Sequence, residues 1–162
     1  MQRGLFLDRD GIINVDHGYV SQIEDFEFNE GIFELLQGFD FPIFVITNQS
    51  GIGRGYYSVE EFKSLTRYMV DQFAKQGIEI KEVFYCPHTP NDDCICRKPK
   101  PQMIFDAAKK YDIDLENSLF IGDKQSDMQA AQAAGIGMKI FVGKECDIAD
   151  QVVSSIKGLK IV

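Results

Sequence analysis

The chain has 162 residues, 44% of them apolar and 26% charged, with a formal net charge of −8. This is globular composition and fits one domain spanning residues 1–162, with no repeats or low-complexity tract. The acidic balance argues against nucleic-acid and membrane-surface partners, and no apolar run nears the ~20 residues of a membrane span, so the reading is a cytoplasmic protein with reduced thiols.

Strand and helix signals alternate along the chain. Gly4 to Leu7 is a short apolar run ending in acids, which predicts a buried strand. Residues 29–39 predict a helix that Asn29 can cap, and Pro42 to Ile46 a second buried strand. Ser58-Val59-Glu60-Glu61 reads as a capping box opening a helix that carries Phe62, Leu65, Met69, Val70 and Phe73 and ends at Gly77.

Lys81 to Tyr85 predicts a third strand. Pro101 fits the first position of a helix with Ile104, Phe105, Ala108 and Tyr111 on one side. Ser118 to Ile121 and residues 137–142 predict two more strands. Between them lies a helix with a capping box from Ser126 to Gln129 and a stop at Gly135. The tail, 148–162, reads as a short helix and an edge strand. Strands separated by helices imply βαβ units, a mainly parallel sheet and helices on both faces. In such α/β folds ligands bind beyond the carboxyl ends of the strands, so polar residues there are the first candidates.

Asp8 and Asp10 sit two apart where the first strand ends, with Gly11 allowing a sharp turn. In extended backbone both carboxylates can face one site. One can attack phosphorus while the other moves the leaving-group proton; the plain alternative is a pair of acids at a polar turn. Asp123 ends the fourth strand in the same way, and carboxylates from two strand ends suit Mg²⁺. Asp127 fits either the metal or the positive end of the helix it begins. Thr47, Asn48, Gln49, Ser50 and Gly51 follow the second strand, where a hydroxyl and backbone N–H groups can hold phosphoryl oxygens or simply make a turn.

Cys86, His88, Cys94 and Cys96 supply three thiolates and an imidazole, a full tetrahedral set for a structural Zn²⁺, with a disulfide as the main alternative. A loop pinned in this way would aim Arg97 and Lys98, which follow at once. With Arg54, Lys100 and Lys124 they can bring five cations to one mouth of an acidic protein.

In this order, Asp8-Arg9-Asp10-Gly11, Thr47-Asn48, Lys98 and Gly122-Asp123 with Asp127 resemble the four motifs of haloacid dehalogenase-type phosphatases. The resemblance implies a Rossmann-like fold without a large cap domain. It makes Asp8 the nucleophile and Asp10 the acid/base, and gives Mg²⁺ the Asp8 carboxylate, the Asp10 carbonyl and Asp123. Thr47 and Lys98 would brace the phosphoryl group. Within that superfamily, Asp16-His17-Gly18-Tyr19-Val20, Thr47 through Gly55 and the Cys-Pro-His, Cys-x-Cys-Arg-Lys-Pro pattern resemble D-glycero-D-manno-heptose 1,7-bisphosphate phosphatases. These remove the 7-phosphate on the route to ADP-heptose and lipopolysaccharide.

This narrower resemblance implies a monomer acting on a phosphorylated sugar. It places Asp16, His17, Gly18, Tyr19, Asn48, Gln49, Ser50, Arg54, Arg97 and Lys124 around that substrate. Ile12 stands where these enzymes usually carry Thr, and Gln102 where they usually carry Gly. The five residues between His88 and Cys94 are more like histidinol-phosphate phosphatases, the nearest competing reading. More remote are a polynucleotide 3′-phosphatase and a non-catalytic, zinc-organised binding domain.

Overall fold

The computed structural model describes residues 1–161. Three fully buried side chains make Leu5–Leu7 (β1) a strand covered on both faces, and Ile43–Asn48 (β2) is buried for its first five residues. Glu82–Cys86 (β3), Leu119–Gly122 (β4), Met138–Val142 (β5) and Gln151–Val153 (β6) complete a six-stranded sheet. All its pairings are parallel and its order is β3-β2-β1-β4-β5-β6. The connections are Ile32–Leu36 (α1), Ser50–Gly53 (α2), Val59–Lys75 (α3), Gln102–Tyr111 (α4) and Gln125–Ala134 (α5).

Alternation along the strands sorts the core into two layers. Leu5, Leu7, Ile43, Val45, Leu119 and Ile121 pack with Ile32 and Leu36 of α1 and with Leu65, Met69 and Phe73 of α3. Phe6, Phe44, Ile46 and Phe120 point the other way, onto Met103, Ile104 and Ala107 of α4 and Met128 and Ala131 of α5. Helices therefore cover both faces, the α/β arrangement that the strand and helix signals imply. Ile12 is fully buried in the first layer, so an apolar side chain fits where a Thr is usual.

Several local expectations need correction. Asn29 does not cap α1, which is only five residues long and is preceded by Gly31 in the left-handed region. The Asn29 amide instead donates to the carbonyls of Gly11 and Ile12, at 3.1 and 3.0 Å, and staples the turn after β1. Pro101 sits just before α4 rather than within it, and Phe105 is 41% exposed. No capping box joins Ser126 to Gln129; Asp127 is the capping acid of α5, as described below. The tail yields the edge strand β6 but no helix among the described residues, and Val162, its last residue, lies outside them. The capping box at Ser58 does form, with Ser58 Oγ 3.1 Å from the Glu61 N–H and Glu61 Oε1 3.0 Å from the Ser58 N–H.

Candidate active site

The chain steps from β1 outward to β2 and β3, then returns to place β4 on the other side of β1. Strand order reverses at this β1/β4 boundary, where adjacent carboxyl ends leave a crevice. Leu7 is in register with Ile121, so Asp8 and Asp123 leave neighbouring strands almost side by side. A cavity of about 550 Å³ opens there, lined among others by Asp8, Asp10, Asp16, Tyr19, Arg97, Lys98 and Lys124.

Asp8 is 4% exposed and faces fixed donors. Its Oδ1 accepts the Arg9 N–H at 2.9 Å and the Lys98 ammonium at 3.0 Å. Lys98 divides its three protons among Asp8, the Ile46 carbonyl at 2.7 Å and Asp127 Oδ1 at 2.7 Å. Burial alone would depress this lysine, but the charges of Asp127 and Asp8 outweigh it and hold the ammonium above its ordinary range. Asp8 itself is pushed up to about 6, first by burial and then by the charge of Asp127, with Lys98 and Lys124 acting against both. The carboxylate is thus poorly solvated and close to a cation, as suits a nucleophile that must meet phosphorus.

Asp10 is held from two directions. Arg9 is only 1% exposed and folds under it, its Nη2 3.0 Å from Asp10 Oδ1 and 2.8 Å from the Val20 carbonyl. Asn14 donates to Oδ1 at 2.9 Å and Gln49 to Oδ2 at 3.1 Å. Burial works to raise the Asp10 pKa, but the Arg9 charge and these hydrogen bonds together hold it below the usual carboxylate range. Neither Arg9 nor Asn14 is anticipated from the sequence.

Gly11 adopts φ +98°, and a Cβ there would overlap the Asp123 carboxylate. Only a glycine lets the turn after β1 pass this close to the end of β4. Asp123 is pushed up to about 6 by burial and then by the nearby Asp8 charge, against the pull of Lys124. The Lys124 ammonium sits 3.7 Å from Asp8 Oδ2, 3.5 Å from the Asp10 carbonyl and 3.4 Å from Asp123 Oδ1. Those oxygens are the three expected for Mg²⁺, and a cation already gathers among them; the donor set fits a hard divalent ion. Asp8, Asp123 and Asp127 can also bring their oxygens within 4.8 Å of one another. Asp127, however, spends Oδ2 on the N–H groups of Asp123 and Lys124 at 3.1 Å each and Oδ1 on Lys98. It is a helix cap and a lysine partner, occupied on both oxygens.

The remaining sequence candidates divide. Asp16, Gly18, Tyr19, Asn48, Gln49, Ser50 and Arg97 line the cavity. Thr47 is fully buried beside it. Asn48 spends its side chain on the Lys98 backbone, donating to its carbonyl at 3.2 Å and accepting its N–H at 3.0 Å. Gln49 is buried and faces Asp10 and Thr47 rather than open space. Arg54 is at the rim, its guanidinium 5.9 Å from the ring of Tyr19. His17 turns aside to Glu27 at 3.0 Å, and Lys100 to the Cys94 carbonyl, so neither lines the cavity. The five-cation mouth expected from the sequence is therefore led by Arg97, Lys98 and Lys124, with Arg54 at its edge.

Cys86, His88, Cys94 and Cys96 cluster at the end of β3, their ligand atoms within 4.8 Å of one another. The structure closes Cys86 and Cys96 as a disulfide, which differs from the four free ligands expected. A disulfide needs only two sulfurs, yet Cys86 Sγ also lies 3.8 Å from Cys94 Sγ and 3.4 Å from His88 Nδ1, which is 3.3 Å from Cys96 Sγ. A tetrahedral zinc site has S···S edges of about 3.8 Å and S···N edges of about 3.5 Å. In the reduced form the donor set fits zinc. The same loop braces the site, because the Cys86 carbonyl accepts the Gln49 N–H at 2.8 Å and the Pro87 carbonyl the Gly53 N–H at 2.9 Å.

A family model described as HAD-hyrolase-like matches residues 95–145. The chain is 51% identical over 146 residues to the D-glycero-alpha-D-manno-heptose-1,7-bisphosphate 7-phosphatase of Campylobacter jejuni, covering 88% of this chain and 84% of the relative. It is 41% identical to the D-glycero-beta-D-manno-heptose-1,7-bisphosphate 7-phosphatase of Escherichia coli, covering 96% and 90%. Among solved structures, the D,D-heptose 1,7-bisphosphate phosphatase of B. bronchiseptica complexed with magnesium and phosphate superposes with a TM-score of 0.86. That pair shares 29% identity over 96% of this chain and 94% of the other.

Proposed function

The chain belongs to the D-glycero-D-manno-heptose-1,7-bisphosphate 7-phosphatase family of haloacid dehalogenase-like hydrolases, and from that premise we propose that it removes the 7-phosphate of a heptose 1,7-bisphosphate. The observation that carries the chemistry is the desolvated Asp8 carboxylate held against Lys98 at the strand-order switch, with Asp10 two residues on. Asp8 attacks phosphorus and becomes an aspartyl-phosphate, while Asp10 protonates the departing sugar oxygen. In the second half-reaction Asp10 takes the proton of the attacking water. Its depressed pKa suits proton acceptance; a phosphoryl anion nearby raises it for the first task. Thr47 and Lys98 brace the phosphoryl group.

Asp8, the Asp10 carbonyl and Asp123 would hold Mg²⁺, which when bound offsets the repulsion between a carboxylate and an anionic phosphoryl group. With the ion there, Lys124 would serve the substrate side, where Asp16 lies 3.8 Å from it. Arg97, Arg54, Tyr19 and the turn at Asp16 to Gly18 surround the rest of the sugar. Reduced Cys86, Cys94, Cys96 and His88 would hold structural Zn²⁺ and so fix Arg97 and Lys98. The setting we propose is a cytoplasmic monomer acting on a small molecule; no helix among the described residues is long and apolar enough to cross a membrane.

The deciding experiment is phosphate release from heptose 1,7-bisphosphate, histidinol phosphate, fructose 1,6-bisphosphate and a 3′-phosphorylated oligonucleotide. The heptose substrate should give the highest kcat/KM. A preference for histidinol phosphate or the oligonucleotide would overturn the substrate assignment, and no release from any of them would overturn the enzyme reading.

A further inference from the structure

Behind the two proposed proton-handling and phosphoryl-bracing groups lies a buried chain of hydrogen bonds that runs in one direction. Tyr57 is 6% exposed, and its hydroxyl donates to Gln49 Oε1. The other end of the same amide, Nε2, donates to Asp10 Oδ2 at 3.1 Å and to Thr47 Oγ1 at 2.8 Å. Room for the Tyr57 ring is made by Gly51, where a Cβ would overlap it. The ring could not reach Gln49 with any larger residue at that position unless one of them shifted.

We infer that Tyr57 is a positioning residue which, through the Gln49 amide, aims Asp10 Oδ2 for proton transfer and keeps Thr47 Oγ1 as an acceptor, so that its hydrogen can turn to the phosphoryl group. This rests on the roles proposed above for Asp10 and Thr47.

The two oxygens of Asp10 are not equivalent. Oδ1 takes Arg9 at 3.0 and 3.3 Å and Asn14 at 2.9 Å, which uses its accepting capacity. Oδ2 has a single Arg9 contact, at 3.2 Å, and Gln49. It is therefore the oxygen left to exchange a proton, and Gln49 is the neutral group that orients it. Turning the amide over would set its carbonyl oxygen against the Asp10 carboxylate, a repulsion between two acceptors. Tyr57 closes that option from the other side by requiring an acceptor. Burial pushes its phenol up to about 12, so the hydroxyl stays protonated and keeps donating. At Thr47 the logic is the same. Oγ1 accepts from Gln49 at 2.8 Å, and its own hydrogen makes only a long contact, 3.5 Å, with the Asn48 carbonyl, which a substrate oxygen can displace.

Tyr57→Phe keeps the ring and removes the donor. Its kcat/KM for heptose 1,7-bisphosphate should fall about five- to tenfold, the effect of losing roughly one hydrogen bond, while KM stays near that of the wild type. The fall should be smaller for p-nitrophenyl phosphate, whose leaving group departs with little help from an acid. Gln49→Ala should lose at least as much, and adding Tyr57→Phe to it should cost nothing further. The Gln49 side-chain amide ¹⁵N–¹H signals, assigned by their absence in Gln49→Ala, should move in Tyr57→Phe.

Equal losses on both substrates, or losses that add in the double variant, would overturn the inference. A wild type that cleaves p-nitrophenyl phosphate but not the heptose substrate would instead overturn the proposed function. The amide signals then decide this inference alone, and if they are unchanged in Tyr57→Phe it fails.

Discussion

At the scale of single residues, the site is a contest between desolvation and a few fixed charges. Asp8 has Lys98 and a backbone N–H on one oxygen, and Lys98 keeps Asp127 as a second acid partner if Asp8 becomes neutral. Asp8→Asn should therefore fold normally by circular dichroism and melting, yet lose about 10⁴-fold or more in kcat, the scale expected for removing a nucleophile. Retained turnover would exclude Asp8 as the attacking group. The two acids held at about 6, Asp8 and Asp123, give a further consequence. Both are raised above their unfolded values, so without metal the folded state binds the extra protons. The stability these two acids contribute declines as pH rises from about 4 through 6. Mg²⁺ needs both groups ionised, so the Mg²⁺-induced rise in Tm should be small at pH 5, grow through pH 6 and level off by about pH 7. A shift that is equally large at pH 5 would mean that these acids do not hold the ion.

At the scale of elements, four of the five expected helices were legible because each carries either a capping residue or a period of apolar side chains; the short helix expected in the tail has neither and is absent from the described residues. Of these, α3 has both, and its boundaries agree with Ser58 and Gly77. The helix expected from 29 to 39 shrank because Asn29 is used elsewhere, on two carbonyls of the turn after β1. Such a tertiary demand leaves no periodic trace. The four-residue α2 was missed for a related reason. Besides its own short-range backbone bonds, it is held by the Cys86 and Pro87 carbonyls at the end of β3, far along the chain. That dependence gives a test of the zinc cluster. Under reducing conditions zinc should co-purify with the protein, and a chelator should first increase proteolysis and amide exchange between residues 86 and 98 and in α2. Cys94→Ser should do the same, since the disulfide alone would leave Cys94 without a structural task. A protein with no bound metal and four free thiols would refute the cluster.

At the scale of the whole molecule, the parallel sheet and its two helical layers followed from runs of apolar residues broken by helical periods, and the strand ends then told where chemistry could gather. What the sequence could not show was the direction of each polar side chain. His17 and Lys100 belong to the right segments and turn away, whereas Arg9 and Tyr57 lie beneath the site and carry no exposed signature. The charge distribution has the same two-scale character. The protein carries −8 overall, with Glu24, Glu60 and Glu61 around a neighbouring groove, while Arg97, Lys98 and Lys124 line the cavity. Raising ionic strength from about 0.01 to 0.15 M shortens the Debye length from about 30 to 8 Å. That screens the distant acids from an approaching bisphosphate but barely weakens cations in contact with it. kcat/KM should accordingly rise over this interval and fall only at higher salt, with kcat nearly constant. Arg97→Ala should remove the later fall without abolishing the early rise. A steady decline from the lowest salt upward would show instead that the cavity cations, not the net charge, govern the encounter at long range.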